Sequence, residues 1–150
     1  MLMMDLVNRP PVTVLPETSV LEAACAMRDR NVGSVIVYEE GSVVGILTDR
    51  DVVLALADER FVNGNQRVSE FMTRDPVCLA SRDDVDTGLT RMRMHRVRRM
   101  PVLNEQGELV GIVSLDDMLM HMGHTLSTAA DLVEEEVAAI PEDAWPRCGR

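Results

Sequence analysis

The chain has 150 residues and a net charge of −10 at pH 7, and it is 46% hydrophobic and 27% charged. This length and composition are typical of a folded globular protein with a sizeable core, and they exclude a disordered chain or a disulfide scaffold. The negative charge argues against nucleic-acid binding, and no apolar run could span a bilayer, so we expect no nucleic-acid or membrane partner and a cytoplasmic location.

The first half of the chain predicts a strand, a helix, two strands and a second helix. A short β-branched strand around Thr13 precedes a helix that starts at Ser19, where Ser19 and Glu22 form a capping box, and ends near Asn31. Strands at residues 34–38 and 43–47 follow, joined by a glycine-containing turn, and a helix is predicted over residues 49–57.

The second half repeats this order. Residues 45–51, GILTDRD, recur 66 positions later as residues 111–117, GIVSLDD; we call them the first and second motifs. The second unit predicts a helix bearing Val85, Leu89 and Met92, strands at 99–103 and 109–113, and a helix from Leu115.

Two units of ~55 residues cannot each bury their helices and strands alone. The predicted fold is therefore α/β, with two tandem β-α-β-β-α repeats, residues 6–60 and 68–123, packed with pseudo-two-fold symmetry. Two related clefts are expected where strand ends and helix starts of the repeats meet.

Residues 125–150 predict an acidic helix and a tail. The helix, at 128–140, carries Ala129, Val133, Val137 and Ile140 on one side, and it is expected to dock on the rest of the chain or on a partner. After it we expect a mobile tail, for which Trp145 is a candidate anchor.

The motifs have two readings. Thr48 with Asp51, and Ser114 with Asp117, are typical helix caps, and taken alone this is the favoured interpretation. A strand that leads into a helix N-terminus also suits phosphate, and a carboxylate one turn later can accept bonds from ribose hydroxyls.

Positive charge concentrates in the second unit, at Arg91, Arg93, Arg96, Arg98 and Arg99. The first three predict a solvated helix face, whereas Arg98 and Arg99 precede a strand at the cleft edge and suit phosphate. Their counterparts, Gly33 and Ser34, are uncharged, so the two clefts should bind differently. The first motif would rely on its own Arg50, and ligand phosphate is expected first at Ser114 and Asp117.

On these features the chain resembles a tandem pair of cystathionine-β-synthase (CBS) domains, the Bateman module, of the stand-alone bacterial type. The resemblance spans roughly residues 6–123 and depends on Pro-x-Thr-Val at 11–14, Val-Arg-Arg-Met-Pro-Val at 97–102 and the doubled motif. The family's Met-Thr lead-in is present at 72–73 but is replaced by Val7-Asn8-Arg9 in the first unit, and Cys78 replaces the equivalent of Thr13.

The resemblance implies a regulatory adenosine ligand, AMP, ADP, ATP or S-adenosylmethionine, with no obligatory cofactor. It implies motif aspartates on the ribose, motif hydroxyls near ribose or phosphate, and, by similarity to a repeat of the γ subunit of AMP-activated protein kinase, arginines on phosphate. Atoms around Thr13, Ser34, Met100 and Ile112 would flank the base. The full candidate set is Thr13, Ser34, Thr48, Arg50, Asp51, Arg98, Arg99, Met100, Pro101, Ile112, Ser114, Asp116 and Asp117.

We expect no catalysis and no metal site. All fifteen basic residues are arginine, which excludes a Walker-type loop and Schiff-base chemistry, and no nucleophile, base or metal set is evident. The alternative is a structural or stress-associated interaction module with empty clefts. In either case we expect a homodimer through the apolar second helices, residues 52–56 and 118–120, and a regulated protein partner of unknown identity.

Overall fold

The computed structural model describes residues 1–7 and 9–138. Its elements are, in order, α1 (Met3–Leu6), β1 (Thr13–Val14), α2 (Val20–Arg30), β2 (Ser34–Glu39), β3 (Ser42–Thr48), α3 (Asp49–Ala55), a 3₁₀ turn (Val68–Glu70), β4 (Thr73–Arg74), β5 (Leu79–Ala80), α4 (Val85–His95), β6 (Arg99–Leu103), β7 (Leu109–Ser114) and α5 (Leu115–Ala138).

The strands form two sheets, one for each repeat. The first has the order β1-β2-β3-β4 and the second β5-β6-β7. In both sheets the first strand runs parallel to the second, and the second and third form an antiparallel hairpin. The predicted β-α-β-β-α order and the α/β fold class are confirmed.

Local capping signals fix the helix bounds. At the start of α2 the Ser19 hydroxyl accepts a bond from the Glu22 N–H at 3.1 Å, and the Glu22 carboxylate accepts one from the Ser19 N–H at 3.0 Å. The helix ends at Asn31, which takes a left-handed conformation (φ 51°). The corresponding α4 is capped by Asp84 and ends at the left-handed Arg96 (φ 55°).

The two repeats exchange their lead-in segments. Helix α1 precedes the first repeat but packs on the second, where the N–H of Met3 donates to the Asp83 carbonyl at 2.8 Å. The Met3 side chain is fully buried in the second core, which it shares with other apolar side chains: Leu6, Leu79, Met92, Met100, Val102, Val113 and Met118.

The exchange is reciprocal. The 3₁₀ turn opens the second repeat, yet the N–H of Val68 donates to the Thr18 carbonyl at 2.8 Å. Val68 is buried in the first core, with Val20, Ala23, Met27, Val35, Val37 and Leu47. Two backbone bridges, Leu2 to Asp84 and Ser19 to Arg67, are related by a shift of 65 residues (67 − 2 and 84 − 19), one fewer than the shift between the motifs, as expected for pseudo-two-fold symmetry.

The structure joins the last repeat helix and the predicted acidic helix into one 24-residue helix, α5. Thr125 and Thr128 donate their hydroxyl protons to the carbonyls of His121 and His124, so polar residues continue the helix without ending it. Ala129 and Val133 are exposed and do not dock on the described chain. The Val137 side chain, Ile140 and the tail with Trp145 lie outside what the structure describes. No helix within residues 1–7 and 9–138 meets the length and hydropathy needed to cross a bilayer.

Candidate functional site

Each motif forms a complete capping box where a strand meets a helix. At the start of α3 the Asp51 Oδ2 atom accepts bonds from the Thr48 N–H at 2.8 Å and the Thr48 hydroxyl at 2.7 Å. The Thr48 oxygen in turn accepts the Asp51 N–H at 3.2 Å. The capping interpretation is therefore confirmed for the first motif.

The second motif has the same geometry at the start of α5. Asp117 Oδ2 accepts the Ser114 N–H at 2.8 Å and the Ser114 hydroxyl at 2.6 Å. In both boxes the bonds fall on Oδ2, and among the described residues no hydrogen bond is made to the other carboxylate oxygen, Oδ1. Because each Oδ1 retains its accepting capacity, the cap leaves room for a ligand hydroxyl.

A cleft of about 720 Å³ opens beside the first motif, within the range of small-molecule sites. Both repeats contribute to it. Its lining residues are Ile46, Thr48, Asp49, Arg50, Asp51, Thr73, Asp75, Pro76, Val77, His95, Arg96, Val97, Arg98, Arg99 and Asp116.

The exchange of lead-in segments builds one wall of this cleft. Strand β4 belongs to the lead-in of the second repeat but pairs with β3, so that Thr73 lies opposite Ile46 and Arg74 opposite Gly45. Thr73, Asp75, Pro76 and Val77 therefore line the cleft beside the first motif. The position of this wall depends on a strand pairing that crosses the repeat boundary.

Close packing at the two motif glycines holds the exchanged segments in place. A Cβ atom at Gly45 would collide with the Met72 side chain, and one at Gly111 would collide with Val7. Met72 and Val7 are related by the 65-residue shift (72 − 7), so Val7 fills the place of the family's methionine. Both glycines therefore allow close packing of the exchanged segments.

Arg99 crosses from the second repeat to the first. Its Nη1 atom donates to the Gly33 carbonyl at 3.0 Å and lies 3.6 Å from Asp49 Oδ1. A Cβ atom at Gly33 would lie 2.6 Å from Arg99 Nη2, so the missing side chain is what allows the guanidinium to rest there. The Arg99 side chain is 32% exposed and is thus partly held by the protein.

Arg98 lies at the mouth of the same cleft. Its Nη2 atom is 3.2 Å from Asp116 Oδ1, and both side chains are mostly exposed, at 73% and 62%. An exposed ion pair of this kind contributes little to stability, so the Arg98 guanidinium can exchange one anionic partner for another.

The sequence profile of the CBS domain matches residues 3–58 and 68–124. The chain belongs to the CBS domain family. The CBS domain-containing protein YhcV of Bacillus subtilis (strain 168) is 34% identical over 117 residues, which cover 78% of this chain and 82% of that protein. Inosine-5'-monophosphate dehydrogenase of Korarchaeum cryptofilum is 32% identical over 120 residues, 80% of this chain, and the chain spans 24% of that enzyme's length.

Among solved structures, the CBS domain pair of protein MJ0100, in complex with 5'-methylthioadenosine and S-adenosyl-L-methionine, has a TM-score of 0.74 and 28% identity. The match covers 83% of this chain and 98% of that one. The CBS fold of both repeats is thereby established together with their pairing.

Six of the thirteen candidate residues line the 720 Å³ cleft: Thr48, Arg50, Asp51, Arg98, Arg99 and Asp116. The others, Thr13, Ser34, Met100, Pro101, Ile112, Ser114 and Asp117, do not line it. The side chain of Met100 is fully buried in the core of the second CBS repeat.

The expectation that ligand phosphate is found first at Ser114 and Asp117 is not supported by this geometry. The backbone of Arg99 does pair with Ser114 in the β6–β7 hairpin. Its guanidinium, however, contacts the first CBS repeat through Gly33 and Asp49. Side-chain direction therefore assigns the arginine to the cleft of the first motif.

The sequence alone did not indicate the wall at residues 73–77 or the acidic cleft residues Asp49 and Asp75. The Met72-Thr73 pair predicts the lead-in of the second repeat, whereas strand β4 pairs with β3 of the first repeat. Val7, at the corresponding place before the first repeat, is a signal of this exchange that can be interpreted once the strand pairing is known. Cys78, next to this wall, donates its thiol proton to the Pro76 carbonyl at 3.3 Å, and burial raises the pKa of the thiol, which keeps it protonated.

Proposed function

We propose that this chain is a non-enzymatic regulatory module that binds an adenosine-containing ligand, AMP, ADP, ATP or S-adenosylmethionine, in the cleft beside the first motif. The observation that carries the proposal is the convergence of Thr48 and Asp51 with Arg98 and Arg99 in one cleft. The same cleft holds a carboxylate, which suits ribose hydroxyls, and two guanidinium groups, which suit a phosphate or carboxylate of the ligand.

The comparisons support this ligand class. The CBS pair of protein MJ0100 is solved with two adenosine ligands, and the matched region of the dehydrogenase corresponds to a quarter of that enzyme. In our proposal the ligand bridges the two CBS repeats, because its ribose contacts come from the first and its anion contacts from the second. Occupancy would then alter how the repeats sit against each other, which a protein partner can detect.

Calorimetric titration with the four ligands tests the proposal, with Asp51→Asn as the diagnostic variant. Loss of one charge-assisted hydrogen-bond acceptor should lower affinity roughly tenfold to hundredfold. Asp117→Asn is the matched control because the two caps have the same geometry and should lose the same stability.

Equal weakening of binding by both substitutions would show that the first cleft is not the site. No heat and no thermal shift with any of the ligands would overturn the proposal as a whole.

A second candidate is an interaction module with empty clefts, and one observation favours it: both motif aspartates are already engaged in complete capping boxes. On this reading, Asp51→Ala and Asp117→Ala would each cost only cap stability, about 0.5–2 kcal/mol, and leave partner binding intact.

We also propose that the module is a homodimer through its second helices. Val53, Leu54 and Leu56 around the end of α3, and Leu119 and Met120 of α5, are all more than half exposed in the single chain. Such a set of apolar side chains is typical of an interface. Sedimentation equilibrium of Leu54→Glu against wild type tests this; a wild-type protein that remains monomeric at high concentration would contradict it.

A further inference from the structure

We propose that Asp49 and Asp116 compete internally with ligand phosphate for Arg99 and Arg98, and thereby make the cleft selective for adenosine ligands of low negative charge. This inference rests on the proposed function. It goes beyond it by naming the residues that set the ligand's charge, AMP being favoured over ATP.

Asp49 is the competitor for Arg99. Its Oδ1 atom lies 3.6 Å from Arg99 Nη1, and the same oxygen accepts the Arg50 N–H at 2.8 Å, which holds the carboxylate near the guanidinium. A ligand phosphate that contacted Arg99 would lie beside the Asp49 carboxylate, because both anions are attracted to the same guanidinium. The cost of that approach rises with the charge of the phosphate chain.

Asp116 has the same relation to Arg98. The 3.2 Å pair is exposed, so a phosphate can displace the carboxylate, which nonetheless stays at the cleft rim on the first turn of α5. Each displaced aspartate remains a nearby negative charge, because the backbone that carries it does not leave the cleft.

The whole lining is charge-balanced. Four arginines, Arg50, Arg96, Arg98 and Arg99, are matched by four aspartates, Asp49, Asp51, Asp75 and Asp116. A balanced cleft in a chain of net charge −10 gains nothing from extra phosphates and repels them at long range. AMP carries about two negative charges near neutral pH and ATP about four, so the penalty falls mainly on ATP.

By sequence position, the pairing of cleft arginines with Asp49 and Asp116 belongs to the first cleft only. With the 66-residue shift between motifs, the position of Asp49 corresponds to Leu115 (115 − 49), and that of Asp116 to Arg50 (116 − 50). The internal repeat therefore does not require either aspartate. Their pairing with arginines is a property of the first cleft that capping alone would not produce.

The test is a ladder of ligand charge measured on wild type, Asp49→Asn, Asp116→Asn and the double variant. Adenosine, AMP, ADP and ATP are titrated in magnesium-free buffer at low salt. For the double variant we expect affinity to rise roughly fivefold for AMP and more than tenfold for ATP, and to change by less than about twofold for adenosine. S-adenosylmethionine, with one net positive charge, should bind the double variant more weakly than it binds wild type.

Asp29→Asn is the matched control, since it removes the same charge from an exposed pair with Arg28 outside the cleft. If it raises ATP affinity as much as the cleft variants do, the effect is one of overall charge and the inference is wrong. A change of equal factor for every ligand would also overturn it. Absence of binding by wild type and all variants would overturn the proposed function itself, which is a distinguishable result.

Discussion

The two motifs are nearly identical in backbone and cap, but the positions around them are not. Beside the first motif stand Arg96, Arg98 and Arg99; the positions related to these by the 65-residue shift are Asn31, Gly33 and Ser34, which carry no charge. Duplication has thus preserved the part that folds, the capping box, whereas the part that would meet phosphate differs. A repeated motif is evidence of repeated architecture, and ligand preference must be sought in the residues that are not repeated.

The largest expected effect is a loss of nucleotide affinity when an arginine beside the first motif is removed. Arg99→Ala should weaken nucleotide binding by about 1.5–3 kcal/mol, because a charge-assisted contact is lost from a partly enclosed group. Arg93→Ala removes the same charge from an exposed position of α4 outside the cleft and should leave affinity near wild type. Calorimetry decides, and equal losses for the two variants would mean that only net charge matters.

The exchanged segments allow a sharper comparison of the two halves. Gly111→Ala should destabilise by about 1–3 kcal/mol, because the stiff, branched Val7 side chain must move. Gly45→Ala should cost less, since Met72 is unbranched and adapts. Urea denaturation of both variants measures the difference, and a larger loss for Gly45→Ala would contradict this account of the packing.

Gly33→Ala should separate affinity from stability. The three atoms nearest to the new Cβ all lie at the end of the flexible Arg99 side chain, so the free energy of unfolding should stay within about 0.5 kcal/mol of wild type. Nucleotide affinity should change roughly threefold to tenfold because the guanidinium is displaced but not removed. Ser34, the next residue, is buried, so a backbone shift that reached it should also lower stability. A change in affinity without a change in stability would therefore indicate that the substitution acts through Arg99.

The smallest effect concerns the caps of α2 and α4, which are related by the repeat. Asp84 accepts the Thr87 N–H at 2.8 Å, and hydrogen bonding to Thr87 lowers the pKa of the Asp84 carboxyl. Its contribution is therefore present above the ordinary aspartate pKa and is lost as pH falls through the lowered value. Asp84→Ser, which copies the Ser19 cap of α2, should reduce the loss of stability between about pH 5 and about pH 3. Denaturation at both pH values is the check; an unchanged pH dependence would assign the acid sensitivity to other groups.

Much of the fold could be predicted because its signals are local. Ser19 with Glu22 fixed the start of α2, Asn31 its end, and the predicted strand at 99–103 coincides with β6. The single long α5 was the main local error, since Gly123 and two threonines interrupt the apolar pattern but leave the backbone ladder intact.

The cleft could not be predicted to the same extent, because its parts come from distant segments. The pairing of β4 with β3 and the direction of the Arg99 side chain both depend on contacts between repeats. The sequence placed Arg98 and Arg99 at the cleft edge near the second motif, and the backbone of Arg99 does pair with Ser114. The long Arg99 side chain nevertheless extends to the first repeat, where it contacts the Gly33 carbonyl and Asp49.

The exchange of segments also has a consequence for the order in which the chain can fold during synthesis. Residues 1–6 leave the ribosome before the first repeat, but their partners at Ser81 and Asp83 are made about eighty residues later. The first core likewise includes Val68 of the second half, so each core is incomplete while the other half is missing. An N-terminal fusion should accordingly disturb the second repeat more than the first, and cutting the chain between the repeats should leave two fragments that fold only when mixed.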